Sequence, residues 1–323
     1  MISLEKGSQD CILAIVVPCY NEEPVLSETA NQLNKMLDNL IHDKRVSEES
    51  FVYFVDDGSV DKTWEIIKRL YEENNKRFKG LKLSRNVGHQ NALISGLEAI
   101  QDKVDCVISM DADLQDDVFT IGEMIKRFGE GYEVVYGVRR SREEDSLFKK
   151  YSAILFYRLM SLFKVEIIPN HADYRLLSKR VVKHLMSFRE VNLFLRAIIP
   201  LIGFKSTTVY YDRKERFAGK SKYPLKKMLS FALDGITSFS VTPLRFITFV
   251  GIIIFVGSCC LTIWALWLKL IGKSIPGWAS TVLPIYFIGG VQLLSIGILG
   301  EYLGKIYKEV KARPRYFKEE ELK

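Results

Sequence analysis

Through its first part the chain alternates two kinds of block. Short apolar runs stand at Ile12–Pro18, Phe51–Val55, Val104–Met110 and Glu133–Val138, and the first three break off abruptly into polar or acidic residues. Between them, Val25–Leu40, Lys62–Asn74 and Gln90–Ala99 carry apolar residues at helical spacing. Strand and helix in repetition predict a parallel sheet with helices on both faces. Ligands of such sheets bind beyond the carboxyl ends of the strands, which is where the polar clusters fall.

The last third is patterned differently. Phe246–Leu268 runs 23 residues without a charge and Gly277–Gly300 runs 24. Each is long enough to span a bilayer as a helix, and their Pro and Gly content is tolerated there. The alternative, a buried core helix, is disfavoured by having two such segments side by side. The connecting loop holds Lys269 and Lys273, whereas Arg213–Lys227 and Lys305–Lys318 on the outer flanks are strongly basic. The positive-inside rule then places both ends in the cytoplasm. Trp264, Trp267, Trp278 and Tyr302 lie near the segment ends, where aromatic rings prefer the interface. Before the hairpin, Leu225–Phe239 places Leu225, Met228, Leu229, Ala232, Leu233 and Ile236 on one face. This reads as an amphipathic helix on the membrane surface or, equally, as a packing helix. The expected organisation is a soluble domain over 1–224, a juxtamembrane helix over 225–244, a two-helix hairpin over 245–303 and a basic cytoplasmic tail over 304–323.

Composition adds direction. The 323 residues carry a net charge of +7, much of it beside the apolar segments, which favours a membrane surface over nucleic acid. The five cysteines show no metal-ligand spacing and read as buried reduced thiols. Ile12–Val17 is too short for a signal core and lacks a basic lead, so the N-terminal domain is expected to stay in the cytoplasm. With neither a Gly-x-Gly-x-x-Gly fingerprint nor a P-loop, a dinucleotide oxidoreductase or P-loop phosphotransferase is disfavoured.

Three clusters carry the chemistry. Asp111-Ala112-Asp113-Leu114-Gln115-Asp116 follows the third strand directly. Alternate side chains of an extended or turning segment point the same way, so Asp111, Asp113 and Gln115 can offer oxygens to one Mg²⁺ or Mn²⁺ that bridges to substrate phosphates. The competing reading is an acidic turn capping the next helix. Asp56-Asp57-Gly58-Ser59-Val60-Asp61 follows the second strand. Asp56 is suited to accept a hydrogen bond from a base or ribose, Gly58 to a tight turn, and Asp61 or Ser59 to a helix cap. Pro18-Cys19-Tyr20-Asn21-Glu22 brings Tyr20 and Glu22 to the same rim, Tyr20 either to stack on a base or as an exposed turn residue. Three polar loops at one sheet edge describe a nucleotide-plus-metal pocket.

Pro18–Glu22, Asp56–Asp61 and Asp111–Asp116 resemble the family-2 glycosyltransferases of the GT-A fold. The likeness continues through His171–Leu176, Asn192–Phe194, Gly235–Ser240, the two spans and Leu299–Tyr302, covering nearly the whole chain. Together these are similar to the polyprenyl-phosphate glycosyltransferases, the bactoprenol glucosyltransferases and their dolichol-phosphate-mannose-synthase relatives. The resemblance implies an α/β GT-A (Rossmann-like) catalytic domain with an amphipathic juxtamembrane helix and two transmembrane helices. It implies that Pro18, Tyr20, Glu22 and Asp56, with Asp111, hold the nucleotide. Asp111, Asp113 and Gln115 would bind the divalent cation, and Arg139 would touch the diphosphate. Asp173 corresponds to the active-site aspartate near the acceptor, so that Asp173, Asp113 and Arg139 form the catalytic set. Arg216 and Lys222 of the basic loop, with Arg175, would meet the acceptor phosphate.

The implied reaction is an inverting transfer of a sugar from a nucleotide donor to polyprenyl phosphate at the cytoplasmic face of the plasma membrane, by a multi-pass protein and homo-oligomer. UDP-glucose is the first choice of donor, with UDP-N-acetylglucosamine and GDP-mannose as alternatives. Metal and arginine would neutralise the leaving phosphate. The acceptor phosphate, with a second pKa of about 6, is largely dianionic at neutral pH and needs no strong base. Asp173 is left to orient the acceptor, take a residual proton or hold an arginine, with a structural ion pair to Arg175 as the alternative. His89 and His171 lack ligand spacing and read as packing or hydrogen-bonding residues. A polysaccharide synthase of the same fold would carry an Arg-Trp pair, absent here; a non-catalytic membrane scaffold is the third reading.

Overall fold

The computed structural model describes residues 11–140, 171–191, 193–212, 242–271 and 278–323. They fall into two compact units: the described residues up to 212 together with 313–323, and those between 242 and 312. The expected amphipathic helix before residue 242, Arg216, Lys222, Asn192 and Gly235–Ser240 lie outside the described residues.

The first unit is built on a sheet of β1 (Leu13–Cys19), β2 (Phe51–Asp56), β3 (Phe78–Leu83), β4 (Cys106–Ser109), β5 (Val134–Arg139), β6 (His171–Ser178), β7 (Ser206–Tyr211) and β8 (Lys318–Leu322). Their order is β7-β5-β6-β4-β1-β2-β3-β8. Strands β3, β2, β1 and β4 run parallel, and β5 runs parallel to β7. Strand β6 lies antiparallel between β4 and β5, and β8 antiparallel on β3. The sheet is therefore mixed, where the repeating pattern predicts a parallel one.

Helices cover both faces, as expected. All seven residues of β1 are buried, which is why it reads as a continuous apolar run rather than an alternating one. Leu13, Ile15 and Val17 share a core with Leu26, Ala30, Leu33 and Leu37 of α1 (Leu26–His42). On the opposite face α3 (His89–Ile100) comes so close that a Cβ on Gly96 would sit 2.7 Å from Val55 and 2.8 Å from Val16. Helices α2 (Thr63–Glu73), α4 (Thr120–Gly129), α5 (Lys179–Ser187) and α6 (Leu195–Leu201) complete the described part of this unit.

The second unit contains α7 (Thr242–Leu270) and α8 (Trp278–Lys311). Among the described residues one segment, Phe287–Lys311, is long and apolar enough to cross a membrane; Pro243–Ile254 is a shorter apolar stretch. The expected pair of membrane helices is thus matched in part. Past α8 the chain does not continue as a plain basic tail. Residues 318–322 return to the first unit as β8, the edge strand of its sheet.

Candidate active site

The β1 and β2 loops are sewn to each other at the sheet's carboxyl edge. Asn21, in the left-handed region at φ 55°, donates its N–H to Ser59 Oγ at 3.0 Å and accepts from the Val60 N–H through its side chain at 3.0 Å. Glu22 N–H reaches Thr63 Oγ1 at 2.9 Å. Asp61 accepts from the N–H groups of Glu23 and Thr63, at 3.2 and 3.0 Å, and so anchors the start of α2. Pro18 lies within β1 opposite Val55, and Tyr20 stands 44% exposed on the rim.

Asp56 and Asp57 are both buried. Asp56 Oδ1 accepts the Ser59 N–H at 3.2 Å, while its Oδ2 has no hydrogen-bond partner among the described residues. Burial pushes its pKa up. Asp57 accepts from the N–H groups of Val87 and Gly88, at 2.7 and 2.9 Å, and so fixes the turn that opens α3. Gly58, at φ 64°, packs against the next loop so closely that a Cβ would lie 2.5 Å from the Arg85 carbonyl carbon.

After β4 the expected alternation holds: Asp111, Asp113 and Gln115 are partly accessible, whereas Ala112, Leu114 and Asp116 are buried. The loop is held from behind by Thr29 Oγ1, which donates to the Ala112 carbonyl at 2.7 Å. Asp113 Oδ1 accepts the Gln115 N–H at 3.2 Å. Asp116 is buried and accepts from Tyr211 Oη and from Arg139 Nη2, the latter at 3.3 Å. Arg139 and Tyr211 are register partners at the ends of β5 and β7, so Asp116 fixes Arg139 at the rim. Burial pushes the Asp116 pKa up, against the pull of Arg139 and Tyr211. For Arg139 burial opposes the charge, but Tyr211 and Asp116 raise its pKa on balance.

The antiparallel strand β6 delivers Asp173. Ser109, the last residue of β4, pairs with Arg175, and Asp111, two residues past that strand, lies close enough to Asp173 for the two carboxylates to repel. Ser109 Oγ donates to the Asp173 carbonyl at 2.6 Å. The Asp173 carboxylate is held between two arginines: Arg175 Nη2 on Oδ1, and Arg196 Nη2 on Oδ2 at 3.2 Å. Burial alone would raise its pKa; Arg196, Arg175 and His89 instead hold it far below the ordinary carboxylate range. Arg175 is 0% exposed, its Nε and Nη1 lacking partners among the described residues, and burial lowers its pKa. His89, at the start of α3, places Nε2 3.6 Å from Asp111 Oδ1. Burial, then the nearby carboxylates of Asp116, Asp173 and Asp113, push the Asp111 pKa up to about 6 against the pull of His89.

These residues suit a hard cation of a particular kind. No group of three His, Cys, Asp or Glu among the described residues closes on one point. Asp111 and Asp113 supply two carboxylates and Gln115 an amide. Mg²⁺ or Mn²⁺ uses one or two carboxylates and completes its shell with water and substrate phosphates. The raised Asp111 pKa comes first from burial and then from the carboxylates of Asp116, Asp173 and Asp113, and a bound cation would offset both.

Sequence reading passes over Asp57, Asp116, Tyr211, Gln90 and Arg196, and it assigns His89 to packing or hydrogen bonding. Gly88-His89 at a loop-to-helix junction is a faint signal; nothing local marks Arg196, which meets Asp173 only through the fold. Comparison with known proteins bears on the chain as a whole. Residues 14–186 match the family described as Glycosyl transferase family 2. The uncharacterized glycosyltransferase YkoT of Bacillus subtilis strain 168 is 54% identical over 305 residues, covering 94% of this chain and 90% of its own length. The bactoprenol glucosyl transferase of Shigella phage SfII is 36% identical over 309 residues, covering 94% and 96% respectively. Among solved structures, the mannosyltransferase PcManGT from Pyrobaculum calidifontis, in complex with GDP-Man and Mn²⁺, shares 17% identity over 94% of this chain and 86% of its own, with a TM-score of 0.46.

Proposed function

Because this chain belongs to glycosyl transferase family 2, its reaction is glycosyl transfer, and we propose that it moves glucose from UDP-glucose to a polyprenyl phosphate, with inversion, at the cytoplasmic face of the plasma membrane. The observation that carries this reading is the meeting of two differently held carboxylates, Asp111 and Asp173, at one edge of the GT-A sheet, both within reach of the His89 charge. One carboxylate belongs to the cation-seeking loop. The other is clamped as an ion by Arg175 and Arg196.

On this reading Tyr20, Pro18, Glu22 and Asp56 line the nucleoside side. The buried Asp56 Oδ2, without a partner among the described residues, is an acceptor for a base or ribose donor. Asp111, Asp113 and Gln115 would hold Mg²⁺ or Mn²⁺, which when bound would supply positive charge on the diphosphate side. Arg139, fixed by Asp116 and Tyr211, adds a preorganised positive charge on the same side. Asp173 remains ionised between its arginines and works by orienting, since a dianionic acceptor phosphate supplies its own nucleophile. Arg175 supports Asp173 from inside the sheet instead of meeting the acceptor itself, and the acceptor phosphate falls to Arg216 and Lys222.

A lipid acceptor is supported by the phage relative's name and by chain topology. Strand β8 is hydrogen-bonded to β3, so residues 318–322 share a compartment with the catalytic edge. The chain between 212 and 313 therefore crosses a membrane an even number of times. On this reading α8 is one crossing and α7 is taken as the other.

Membranes containing the protein are to be incubated with polyprenyl phosphate, Mn²⁺ or Mg²⁺, and radiolabelled UDP-glucose, UDP-N-acetylglucosamine or GDP-mannose in turn. Label is expected in the lipid fraction, highest from UDP-glucose. Absence of lipid label from every donor overturns the lipid acceptor, and preference for another donor overturns the sugar alone.

A further inference from the structure

The two arginines that hold Asp173 are secured in different ways. Arg175 is on the same strand and fully buried. Arg196 comes from α6, a helix of seven residues with Pro200 inside it. So short a helix does not hold its own position, and its first N–H groups have no intrahelical partner. Phe194, which caps it, supplies no side-chain hydrogen bond. The need is met from the far side of the site: Gln90 Oε1 accepts the N–H of Leu195 at 3.0 Å across 105 positions of sequence. Leu195 is buried, 1% exposed, and the next residue is Arg196, with Nε 3.4 Å from Asp173 Oδ1 and Nη2 3.2 Å from Oδ2. Gln90 itself follows His89, which lies against Asp111. Two adjacent residues of α3 thus reach both carboxylates of the site, one directly and one through α6.

We propose that Gln90 is a positioning residue for the acceptor half of the reaction, fixing the first peptide of α6 so that Arg196 grips Asp173. The proposal rests on the reading that Asp173 serves the acceptor. A side-chain oxygen is what the position requires, because the Leu195 N–H can only donate. Glutamate at 90 keeps that oxygen; leucine, one bond shorter and apolar, removes it.

The test uses the full-length protein in membranes, with KM measured separately for polyprenyl phosphate and for the nucleotide sugar. Gln90→Leu is expected to raise the acceptor KM roughly three- to tenfold, the worth of one hydrogen bond, and to leave the donor KM unchanged. Gln90→Glu is expected to restore the acceptor KM, which a merely structural role does not predict. Gln90→Asn, one methylene shorter, serves as the loss variant if the leucine protein does not fold. Equal rises in both KM values, no change in either, or no recovery with glutamate overturns the proposal. Asp173→Asn separates the two claims. If it impairs acceptor use while Gln90→Leu does not, only the role of Gln90 fails; if it is harmless, the acceptor reading of Asp173 fails and the proposal with it.

Discussion

Asp56 and Asp57 sit side by side at the end of β2, yet their carboxylates serve different ends. Asp57 spends its oxygens on two backbone amides, those of Val87 and Gly88. Asp57→Ala leaves both without their acceptor, at a cost of about 1–3 kcal/mol for each amide that stays buried. The midpoint of thermal unfolding is expected to fall clearly, and an unchanged midpoint counts against this bracing role. Asp111 carries the pH dependence. Its pKa is raised to about 6, against about 3.9 for an unfolded aspartate. The folded protein without cation therefore holds this proton more tightly, and that contribution to stability is present below about pH 4 and lost as pH rises through about 6. A cation needs the ionised carboxylate, so Mn²⁺ affinity is expected to climb through the same window. Calorimetric titration on either side of about pH 6 checks this; equal affinities would remove Asp111 from the cation site. At this scale the sequence is legible where chemistry follows local geometry, as in the outward turn of Asp111, Asp113 and Gln115. It is silent where a partner arrives through the fold, as Arg196 and Tyr211 do.

Among the elements, the four strands expected from apolar runs are present as β1, β2, β4 and β5, and the three expected helices as α1, α2 and α3, each within a few residues. The four strands not anticipated share a physical cause. Strand β3 (FKGLKL) is interrupted by lysines, β6 (HADYRLLS) carries a fully buried arginine, β7 (STTVYY) is half polar and β8 (KEEEL) is almost wholly charged. Each is a strand through its neighbours and not through its own composition. In β8 the neighbours are specific. Glu319 meets Lys82 at 2.8 Å, Glu320 accepts from Trp64 Nε1 at 3.0 Å and pairs with Lys68 at 2.9 Å, and Tyr53 Oη donates to Glu321 at 3.3 Å. The chain leading in is also fixed, since Arg315 Nη2 donates to the Phe188 carbonyl at 2.5 Å and Ser84 N–H to that of Phe317 at 3.0 Å. Deleting residues 318–323 is expected to bare the β3 edge, speed amide exchange across Phe78–Leu83 and promote self-association. Unchanged exchange there would show that β8 contributes nothing to holding β3.

For the whole molecule, the return of the chain to its own sheet turns a hydropathy question into one of topology. Ile271, just past α7, and Lys323, just past β8, are predicted to lie on opposite sides of the membrane. With single cysteines at these positions in a background lacking the native thiols, an impermeant maleimide is expected to label Ile271→Cys in intact cells and Lys323→Cys only after permeabilisation. Labelling of both from one side would dismiss the paired crossing. The same strand imposes an order on biosynthesis. Lys82 and Glu319, partners in the finished sheet, are made 237 positions apart, on the order of tens of seconds at about 5–20 residues per second. Throughout that interval, while α7 and α8 are being made, β3 is an open edge awaiting its cover. Sheet closure is thus a late event that follows translation of both helices, and a nascent protein stalled before β8 is one that a chaperone has reason to hold.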